Sequence, residues 1–343
     1  MNYLKSLKIK NYKHIGDSYV GFEKIDNFNI LVGQNNIGKS TLLQSIELLI
    51  SGNDSNRYIT ENTKVRFSFC PEEDDIKLVF RDNMYGGHIS GNHWDFGKKY
   101  IDKCMSYDFQ PWKTIGETQM VLSDISSITF EELNRNKTIE AFTDLANRFK
   151  SNKLKRLKII KLSADRNLIP EVQNGKKTVS EDGAGATNLL RQYLNVASLP
   201  NEIVEGDILE ALNEIMKPEN NFTRIMCQEI ETTDTSNSMW EILLVNENGK
   251  IPISSSGSGL KTVLLVLIKL FLETREYTNN NFELSICNSI FIFEELENNL
   301  HPTIQRNLFE FLYQWAIKYN TQMFLTTHST IPINMFSGKE NVT

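Results

Sequence analysis

The chain has 343 residues, of which 40% are hydrophobic and 23% are charged, and its formal net charge is -6. This composition is typical of a globular protein and excludes an intrinsically disordered chain. The negative net charge excludes a protein that binds nucleic acid over its whole surface, so any contact with DNA would need a local basic patch.

The cysteines and the apolar segments predict the compartment. The four cysteines form no C-x-x-C pair, so the sequence indicates neither a zinc site nor a disulfide framework and favours a reduced, cytoplasmic setting. The first residues lack the apolar stretch of a secretion signal. The most apolar segment, 262–272, is short and contains Lys269, so we expect no membrane contact.

The first section, 1–95, is predicted to contain several strands and one helix. Strands are indicated by alternating apolar and polar residues or by short apolar runs. They are expected over 4–10, 18–22, 28–32, 65–70 and 76–80, with the acidic turn 71–75 between the last two. A helix is expected over 40–50, because apolar residues recur there at helical spacing and stop before Gly52.

The middle section, 96–245, is predicted as an insertion of helices and strands with a less regular pattern. Helices are expected over 131–149, from Gly183 to 194, and over 202–216. Strands are expected over 157–162, 226–230 and 240–245, and the last should turn at the polar residues 246–249.

The last section, 246–343, alternates strands and helices. A glycine/serine loop at 254–259 should lead into a helix ending at 273, followed by a strand over 289–293, a helix over 302–319 and a strand over 322–325. Such alternation predicts a parallel sheet covered by helices, and so an α/β fold. We expect the three sections to form one composite domain.

A glycine-containing motif between a predicted strand and a predicted helix indicates a nucleotide site. Gly33 and Gly38 have the spacing of a phosphate-binding loop, in which the backbone approaches the phosphates closely. Lys39 would contact the β- and γ-phosphates, and the Ser40 hydroxyl would bind Mg²⁺. ATP and Mg²⁺ are therefore the predicted cofactors. The predicted ATP contacts in this motif are Gly33, Gln34, Asn35, Asn36, Ile37, Gly38, Lys39, Ser40 and Thr41.

The apolar strand 289–293 ends in two carboxylates, Glu294 and Glu295. In an ATPase the first would hold Mg²⁺, usually through water, and the second would polarise the attacking water as general base. Glutamate occupies the first position, where aspartate is more usual. The alternative is a solvated strand end with no chemical role.

Two further features follow the same order along the chain. The loop residues Ser256, Gly257, Ser258 and Gly259 open a helix, so their amides and hydroxyls can bind a γ-phosphate. Their distance in sequence from the phosphate loop favours a phosphate on another subunit, and the alternative is a flexible turn with a helix cap. His328 follows the strand 322–325 and is predicted to contact the γ-phosphate or the attacking water, although a lone histidine is more often structural.

The order of these motifs resembles the ABC-type ATPase head of the structural-maintenance, RecF and OLD (overcoming lysogenisation defect) class. In the OLD-like pattern of paired glutamates, proline usually stands where this chain has Leu296. The segment KLSADR at 161–166 and the segment DGAGATN at 182–188 are also similar to those of standalone ATPases of the class. The main resemblance lies in LKIKNYK at 7–13, ILVGQN at 30–35 and FEELENNLHP at 293–302.

The resemblance implies a core sheet flanked by helices, an N-terminal antiparallel β lobe and a helical insertion. It also implies that two heads, in a homodimer or a higher homo-oligomer, enclose ATP between them. Ser256 and Gly257 would then act on the nucleotide of the other subunit. Glu295 would be the base and His328 the switch histidine.

OLD-like ATPases are frequently components of bacterial anti-phage defence, and many carry a C-terminal Toprim nuclease after the switch histidine. This chain ends soon after that histidine and shows no nuclease motif. We therefore expect either a fused nuclease cut from this segment or a separate effector chain. The expected function is ATP hydrolysis that controls a DNA-directed effector.

Other functions remain open at this point. One is a RecF-type repair ATPase that clamps DNA, and another is a scaffold that holds ATP, hydrolyses it slowly and binds partner proteins. The class's Q-loop glutamine could be Gln110 or Gln119, and neither is favoured. The basic run 150–161 could contact DNA or be a solvated helix flank. No long heptad region is present, which excludes a rod-like arm in this chain.

Overall fold

The computed structural model describes most of the chain, and four of the described segments, 120–122, 135–137, 276–278 and 281–284, only in their backbone. The described residues are 4–33, 38–51, 58–81, 93–111, 120–122, 135–175, 177–218, 221–230, 238–278, 281–284 and 288–343. They divide into two compact units. The N-terminal unit comprises Met1–Asp26, Asn35–Leu157 and Thr343, and the C-terminal unit comprises Asn27–Gln34 and Lys158–Val342. The boundaries of these two units differ from those of the three predicted sections. The division into three sections stays a prediction.

The strands of the described residues are β1 (Ser6–Lys10), β2 (Val20–Phe22), β3 (Phe28–Val32), β4 (Lys64–Phe69), β5 (Met105–Phe109), β6 (Met120–Leu122), β7 (Lys158–Leu162), β8 (Glu171–Val172), β9 (Arg224–Ile230), β10 (Met239–Asn246), β11 (Gly249–Pro252), β12 (Arg275–Thr278), β13 (Asn281–Leu284), β14 (Ser289–Glu294) and β15 (Gln322–Thr327). The helices are α1 (Lys39–Ser51), α2 (Glu73–Val79), α3 (Trp94–Gly97), α4 (Arg135–Asn152), α5 (Ala186–Asn195), α6 (Leu209–Met216), α7 (Ser258–Ile268), α8 (Pro302–Lys318) and α9 (Thr330–Phe336). Short π-helical turns precede α6 at Ile203–Ile208 and extend α7 at Lys269–Glu273. None of the described helices is long and apolar enough to cross a membrane.

The N-terminal unit is built on an antiparallel sheet with the strand order β2-β1-β4-β5-β6. Apolar and polar residues alternate in β1, where Leu7 and Ile9 are fully buried, and this alternation gives the sheet one apolar face. β2 begins two residues later than predicted. Backbone hydrogen bonds between Asn11 and Gly16 and between Tyr12 and Ile15 close a turn between β1 and β2. The predicted antiparallel lobe is confirmed.

One predicted strand is wrong. The segment 76–80 was expected to be a strand, but the chain forms helix α2 over Glu73–Val79. A capping box begins the helix, because Glu72 and Asp75 each accept a hydrogen bond from the other's backbone N–H. Three acidic residues in the first turn favour a helix start, and Ile76 and Val79 are buried at helical spacing. The segment 71–80, whose sequence pattern predicts a turn followed by a strand, therefore contains a helix with an acidic first turn.

The expectation about the cysteines needs a correction as well. Cys70 follows β4 and Cys104 precedes β5, and because these strands pair in antiparallel fashion the two residues meet and form a disulfide. Sequence spacing gives no sign of this pair, which is 34 residues apart and is joined only by the strand register. Cys227 is a buried free thiol.

The C-terminal unit holds a parallel sheet with the order β3-β15-β14-β7. Its central strands β14 and β15 are almost wholly buried, as expected for parallel strands covered on both faces. A second, antiparallel sheet joins β11, β10 and β8, with β9 also paired to β10. Helices α5 to α8 contribute most of their apolar residues to one continuous core with the parallel sheet. The predicted α/β fold with a parallel core sheet flanked by helices is confirmed.

Candidate nucleotide site

The carboxyl ends of the four parallel strands bring the predicted motifs to one edge of the sheet. The register pairs Val32 with Thr327, Thr326 with Glu294, and Phe293 with Leu162. The segments that follow the strands begin with Gly33, His328, Glu295 and Ser163, so all four start at that edge. Ligands of open parallel sheets bind at this edge.

The phosphate loop leaves β3 at Gly33 and ends at α1, which begins with Lys39. Gln34, Asn35, Asn36 and Ile37 lie outside the described residues. Gly38 has φ +102°, and a Cβ there would lie 2.8 Å from Nε2 of His14, so this position requires glycine. Lys39 and Thr41 are buried and Ser40 is exposed. The first turn of α1 contains no acidic residue, which keeps its N-terminus suited to an anion.

A cleft of about 360 Å³ opens beside Gly38 in the N-terminal unit. His14 and the turn that follows it form one wall, and Val20 and Leu42 contribute apolar surface. No sequence pattern singles out His14. Only the packing of this turn against the start of α1 reveals it as a neighbour of the phosphate loop.

Glu295 has an unusual backbone and a firmly held side chain. Its φ is +48°, a conformation that costs a residue with a Cβ of the order of 1 kcal/mol. Its Oε1 lies 3.0 Å from Nε2 of His328, and its Oε2 accepts a hydrogen bond of 3.1 Å from Asn298. The structure thus brings together the two residues predicted as base and switch histidine. Asn298 is an additional contact that the sequence did not single out.

Glu294 is the last residue of β14, and its carboxylate is 16% exposed. Lys161 on the neighbouring strand β7 places Nζ 3.9 Å from Glu294 Oε1 and 2.8 Å from Glu181. Lys161 therefore balances part of the negative charge at this edge. A carboxylate at a strand end can hold Mg²⁺ through water.

Glu297 holds the backbone of His328, the residue that follows β15. Its Oε1 accepts a hydrogen bond of 2.6 Å from the backbone N–H of His328. Glu297 is 8% exposed and lies in the turn after Glu295. The backbone position of His328 thus depends on the same turn that carries Glu295, and this dependence cannot be recognised from the sequence.

Arg166, from the loop after β7, is a further residue that sequence reasoning missed. Its guanidinium donates to the carbonyl oxygens of Ser163, Glu294 and Glu295 at 2.7, 2.8 and 2.9 Å. Its Nε lies 3.3 Å from Thr262 Oγ1 on α7. Burial lowers the pKa of Arg166 to about 10, so the group stays charged at neutral pH. One side chain therefore connects the ends of β7 and β14 with α7.

The loop before α7 is largely exposed, and no side chain caps the N-terminus of this helix. Gly257 is the N-cap residue, and α7 has neither a side-chain cap nor an acidic residue in its first turn. Ser256 Oγ donates to the Pro252 carbonyl oxygen at 2.9 Å. Gly257 and Ser258 are exposed, whereas a Cβ on Gly259 would lie 3.0 Å from the Asn299 carbonyl oxygen. Gly259 thus allows α7 to pack against the turn after Glu295.

The basic residues of the segment 150–161 do not form one continuous exposed surface. Lys150 is buried, with Nζ 3.0 Å from the Phe109 ring centroid, and Lys153 pairs with Glu72 and Asp75. Lys158 donates to the Glu273 carbonyl oxygen, and Lys161 pairs with Glu181. Of the basic residues in the run, only Lys155 and Arg156 are exposed. The run therefore offers little support for DNA contact.

Only one of the two candidate glutamines can be placed among the described residues. Gln110 follows β5 in the N-terminal unit, and Gln119 lies outside the described residues. The assignment of a Q-loop glutamine therefore stays open between the two.

A family model described as "AAA domain, putative AbiEii toxin, Type IV TA system" matches residues 28–331. The chain belongs to this family. The match spans both the phosphate loop and the segment with Glu295 and His328, and it confirms the resemblance of the motifs to an AAA-family ATPase. The four strand ends described above all lie within or directly beside the matched range.

The sequence identity between this chain and an individual curated relative is low. The AAA domain is 21% identical over 403 aligned residues to "Endonuclease GajA" of Bacillus cereus (strain HuB5-5), with 97% of this chain and 58% of that protein covered. The chain thus spans a little more than half the length of this curated relative.

Solved structures similar to the AAA domain include heads of SMC proteins. One is the SmcHead bound to the C-winged helix domain of ScpA, with 14% identity and a TM-score of 0.46. Others are the SMC head domain from Thermotoga maritima, with 14% identity and a TM-score of 0.43, and the Smc head domain from Pyrococcus furiosus, with 11% and 0.40. Each comparison covers 97% of this chain and 91% of the other.

Proposed function

We propose that this AAA domain binds ATP with Mg²⁺ and hydrolyses it, with Glu295 as the general base. The observation that supports this most directly is the Glu295 side chain, held at the sheet edge by His328 and Asn298.

The residues suit the implied ligands. Gly38 has no room for a Cβ, and the first turn of α1 carries no acidic residue, as a phosphate loop requires. Ser40 and Glu294 are the residues that the sequence motifs assign to Mg²⁺, which when bound neutralises charge on the phosphates. Glu295 would accept the proton of the attacking water, and the His328 ring would hold the Glu295 carboxylate in place.

The wider proposal is an ATP-dependent homodimer in the cytoplasm that controls a DNA-directed effector, in bacterial anti-phage defence. The exposed, uncapped loop at Gly257 supports contact with a nucleotide from a second subunit. The relative GajA, an endonuclease, supports a defence-related effector, either fused to this domain or separate. A RecF-type DNA clamp is less favoured, because most of the basic run is engaged internally.

The first test is Glu295→Gln, which keeps the shape of the side chain but removes the base. We expect ATP affinity to be kept while phosphate release falls by roughly 10²–10⁴-fold. The measurement is steady-state phosphate release together with equilibrium binding of a fluorescent ATP analogue. Glu247→Gln, at an exposed turn, is the matched control and should hydrolyse ATP as the wild type does. Equal turnover in the two variants would remove Glu295 from the mechanism.

A further inference from the structure

Lys161 lies on β7, beside the carboxylate at the end of β14. The strand register pairs Lys161 with Ile292, two residues before Glu294. Successive side chains of a strand point to opposite faces of a sheet, so Lys161 and Glu294 share one face. Its neighbours Ile160 and Leu162 are fully buried on the other face. The register therefore places a basic side chain next to the proposed metal carboxylate.

The Lys161 ammonium is shared between two carboxylates of the C-terminal unit. Its Nζ lies 2.8 Å from Glu181 Oε2 and 3.9 Å from Glu294 Oε1. The side chains of Lys161 and Glu294 are 20% and 16% exposed, whereas Glu181 is 56% exposed. Partly buried charges are screened less by salt than exposed ones. One ammonium and two carboxylates give this group a net charge of -1.

Glu181 is held in place through its backbone. Its carbonyl oxygen accepts hydrogen bonds from the backbone N–H of Ser163, at 2.8 Å, and from the Ser163 hydroxyl, at 3.1 Å. Ser163 directly follows β7, the strand that carries Lys161. In the same segment, the Val179 carbonyl oxygen accepts from Lys269 Nζ at 2.7 Å. These contacts fix the segment of Glu181 at the end of β7.

Two other charged groups border this arrangement and have partners of their own. Lys269 pairs with Glu273 at 3.0 Å, and both side chains are buried. Asp182 accepts a hydrogen bond from the Ser180 hydroxyl. Removing the ammonium of Lys161 therefore changes the charge at the end of β14 without breaking either of these pairs.

The charges at this strand end influence how a divalent cation binds. A cation held by Glu294 would lie near the Lys161 ammonium, and like charges repel each other. The net charge of the group compensates only half of the charge of Mg²⁺. The phosphates of ATP supply further negative charge, and Mg²⁺ is usually bound by one or two carboxylates together with substrate phosphates. The metal should therefore enter with the nucleotide rather than before it.

We propose that Lys161 is a positioning residue that opposes Mg²⁺ at Glu294, so that the metal is retained only together with the phosphates. This inference rests on the proposed role of Glu294 in metal binding. Glu181 moderates the effect, because it draws the ammonium to itself. Loss of the Lys161 charge strengthens metal binding, and loss of the Glu181 charge weakens it. A merely structural role would weaken metal binding in both variants.

The first test uses the full chain and a fluorescent ATP analogue, whose Kd is measured with EDTA and with Mg²⁺. The ratio of the two values gives the contribution of the metal and cancels direct effects on the nucleotide. We expect Lys161→Met to raise this ratio about tenfold, and Glu181→Gln to lower it about threefold because Glu181 is more exposed. Lys161→Arg keeps the charge and should stay close to the wild type.

The matched controls are Lys250→Met and Glu247→Gln, two exposed positions at the turn between β10 and β11. Both should keep the wild-type ratio, and thermal melting of every variant verifies folding. A ratio that does not rise in Lys161→Met, or does not fall in Glu181→Gln, would overturn the inference.

A second measurement omits the nucleotide and follows binding of Mn²⁺ by electron paramagnetic resonance. We expect Lys161→Met to bind Mn²⁺ about tenfold more tightly than the wild type. Equal binding by the two proteins would contradict the role of Lys161.

Glu294→Gln separates this inference from the proposed function. If Glu294→Gln keeps the wild-type ratio of Kd values, Glu294 does not hold the metal, and both proposals fail at this residue. If Glu294→Gln lowers the ratio while Lys161→Met leaves it unchanged, only the role of Lys161 is wrong. Neither measurement requires hydrolysis, so the outcome is independent of Glu295 as the base.

Discussion

At the scale of single residues, Arg166 connects three segments near the proposed base. The guanidinium holds the carbonyl oxygens of Glu294 and Glu295 and also reaches Thr262 on α7. A planar group with five donors can span these acceptors, whereas the single ammonium of lysine cannot. Arg166 is therefore a positioning residue for Glu295, acting through its backbone.

Replacing Arg166 by lysine should reduce turnover without loss of ATP binding. We expect kcat of Arg166→Lys to fall by roughly 10–10²-fold, because small misplacements of a catalytic group have effects of this size. The affinity for nucleotide should stay near that of the wild type, since Arg166 approaches none of the phosphate-loop residues in the C-terminal unit. The measurements are kcat and KM for ATP hydrolysis and equilibrium nucleotide binding.

The matched control is Arg306→Lys, an exposed arginine on α8. Its kinetics should equal those of the wild type. If Arg166→Lys hydrolyses ATP at the wild-type rate, the positioning role is refuted while the role of Glu295 is untouched.

Lys150 is a second residue whose environment has a measurable consequence. Burial and the nearby charge of Lys155 lower the pKa of Lys150 to about 7. In the unfolded chain the group would titrate near 10.5, so between pH 7 and about 10.5 the unfolded state binds more protons than the folded state. Stability contributed by this residue therefore rises with pH across that window.

Lys150→Met should stabilise the protein most at pH 7 and below. The substitution keeps the apolar stem and removes the charge that must be buried or neutralised on folding. We expect the gain in the urea midpoint to shrink as the pH is raised towards 10. Lys103→Met, at an exposed position, should show no such dependence. A gain that is constant with pH would mean that titration of Lys150 is not its cause.

At the scale of elements, α2 shows how local hydrogen bonds decide a structure. The segment after β4 has apolar residues that would also suit a strand, and it was predicted as one. The mutual bonds of Glu72 and Asp75 make a helix start, and Lys153 from beyond α4 adds an ion pair of 2.7 Å to Asp75. The helix therefore depends on a contact that is 78 residues away in sequence.

Asp75→Ala should destabilise the N-terminal unit. Loss of a capping side chain costs about 0.5–2 kcal/mol, and here Lys153 also loses its buried partner. The measurement is the free energy of unfolding in urea. Asp74→Ala is the control on the same helix turn, because Asp74 is exposed and not part of the capping box, and it should be nearly neutral. Equal effects of the two changes would contradict the assigned cap.

At the scale of the whole molecule, the dimer proposal depends on the start of α7. A Cβ on Gly257 meets no atom within 4 Å, and the φ of this residue, -62°, is open to any residue. Gly257→Asp can therefore fold, and aspartate is a favourable N-cap. In a dimer its carboxylate would face the γ-phosphate of the other subunit and repel it.

Gly257→Asp should bind ATP as a monomer. In the Glu295→Gln background, where hydrolysis is blocked, we expect sedimentation to show an ATP-dependent dimer that the added Gly257→Asp abolishes. Gly257→Asn is the control, since it has the same shape and capping ability without the charge, and it should still form the dimer. If Glu295→Gln stays monomeric with ATP and Mg²⁺, the enclosed-nucleotide dimer is wrong.

Much of the candidate site was predictable, because its motifs are local. A glycine spacing, a strand that ends in two glutamates and a histidine after a buried strand are each contained in a few residues. Their order, with the strand and helix alternation around them, was also sufficient to predict a parallel sheet. Residues such as Arg166 and Glu297 were missed, since their partners are backbone atoms of segments that meet only in the folded chain.

The sequence by itself determined the α/β class, and it predicted the phosphate loop from Gly33 and the two carboxylates at the end of β14, because each depends on short-range patterns. Only the tertiary structure decided that His328 meets Glu295, that Arg166 holds the backbone there, and that Cys70 pairs with Cys104. These contacts depend on strand order and register. Both are set by packing of the whole core, so residues far apart in sequence become neighbours through geometry that no local pattern contains.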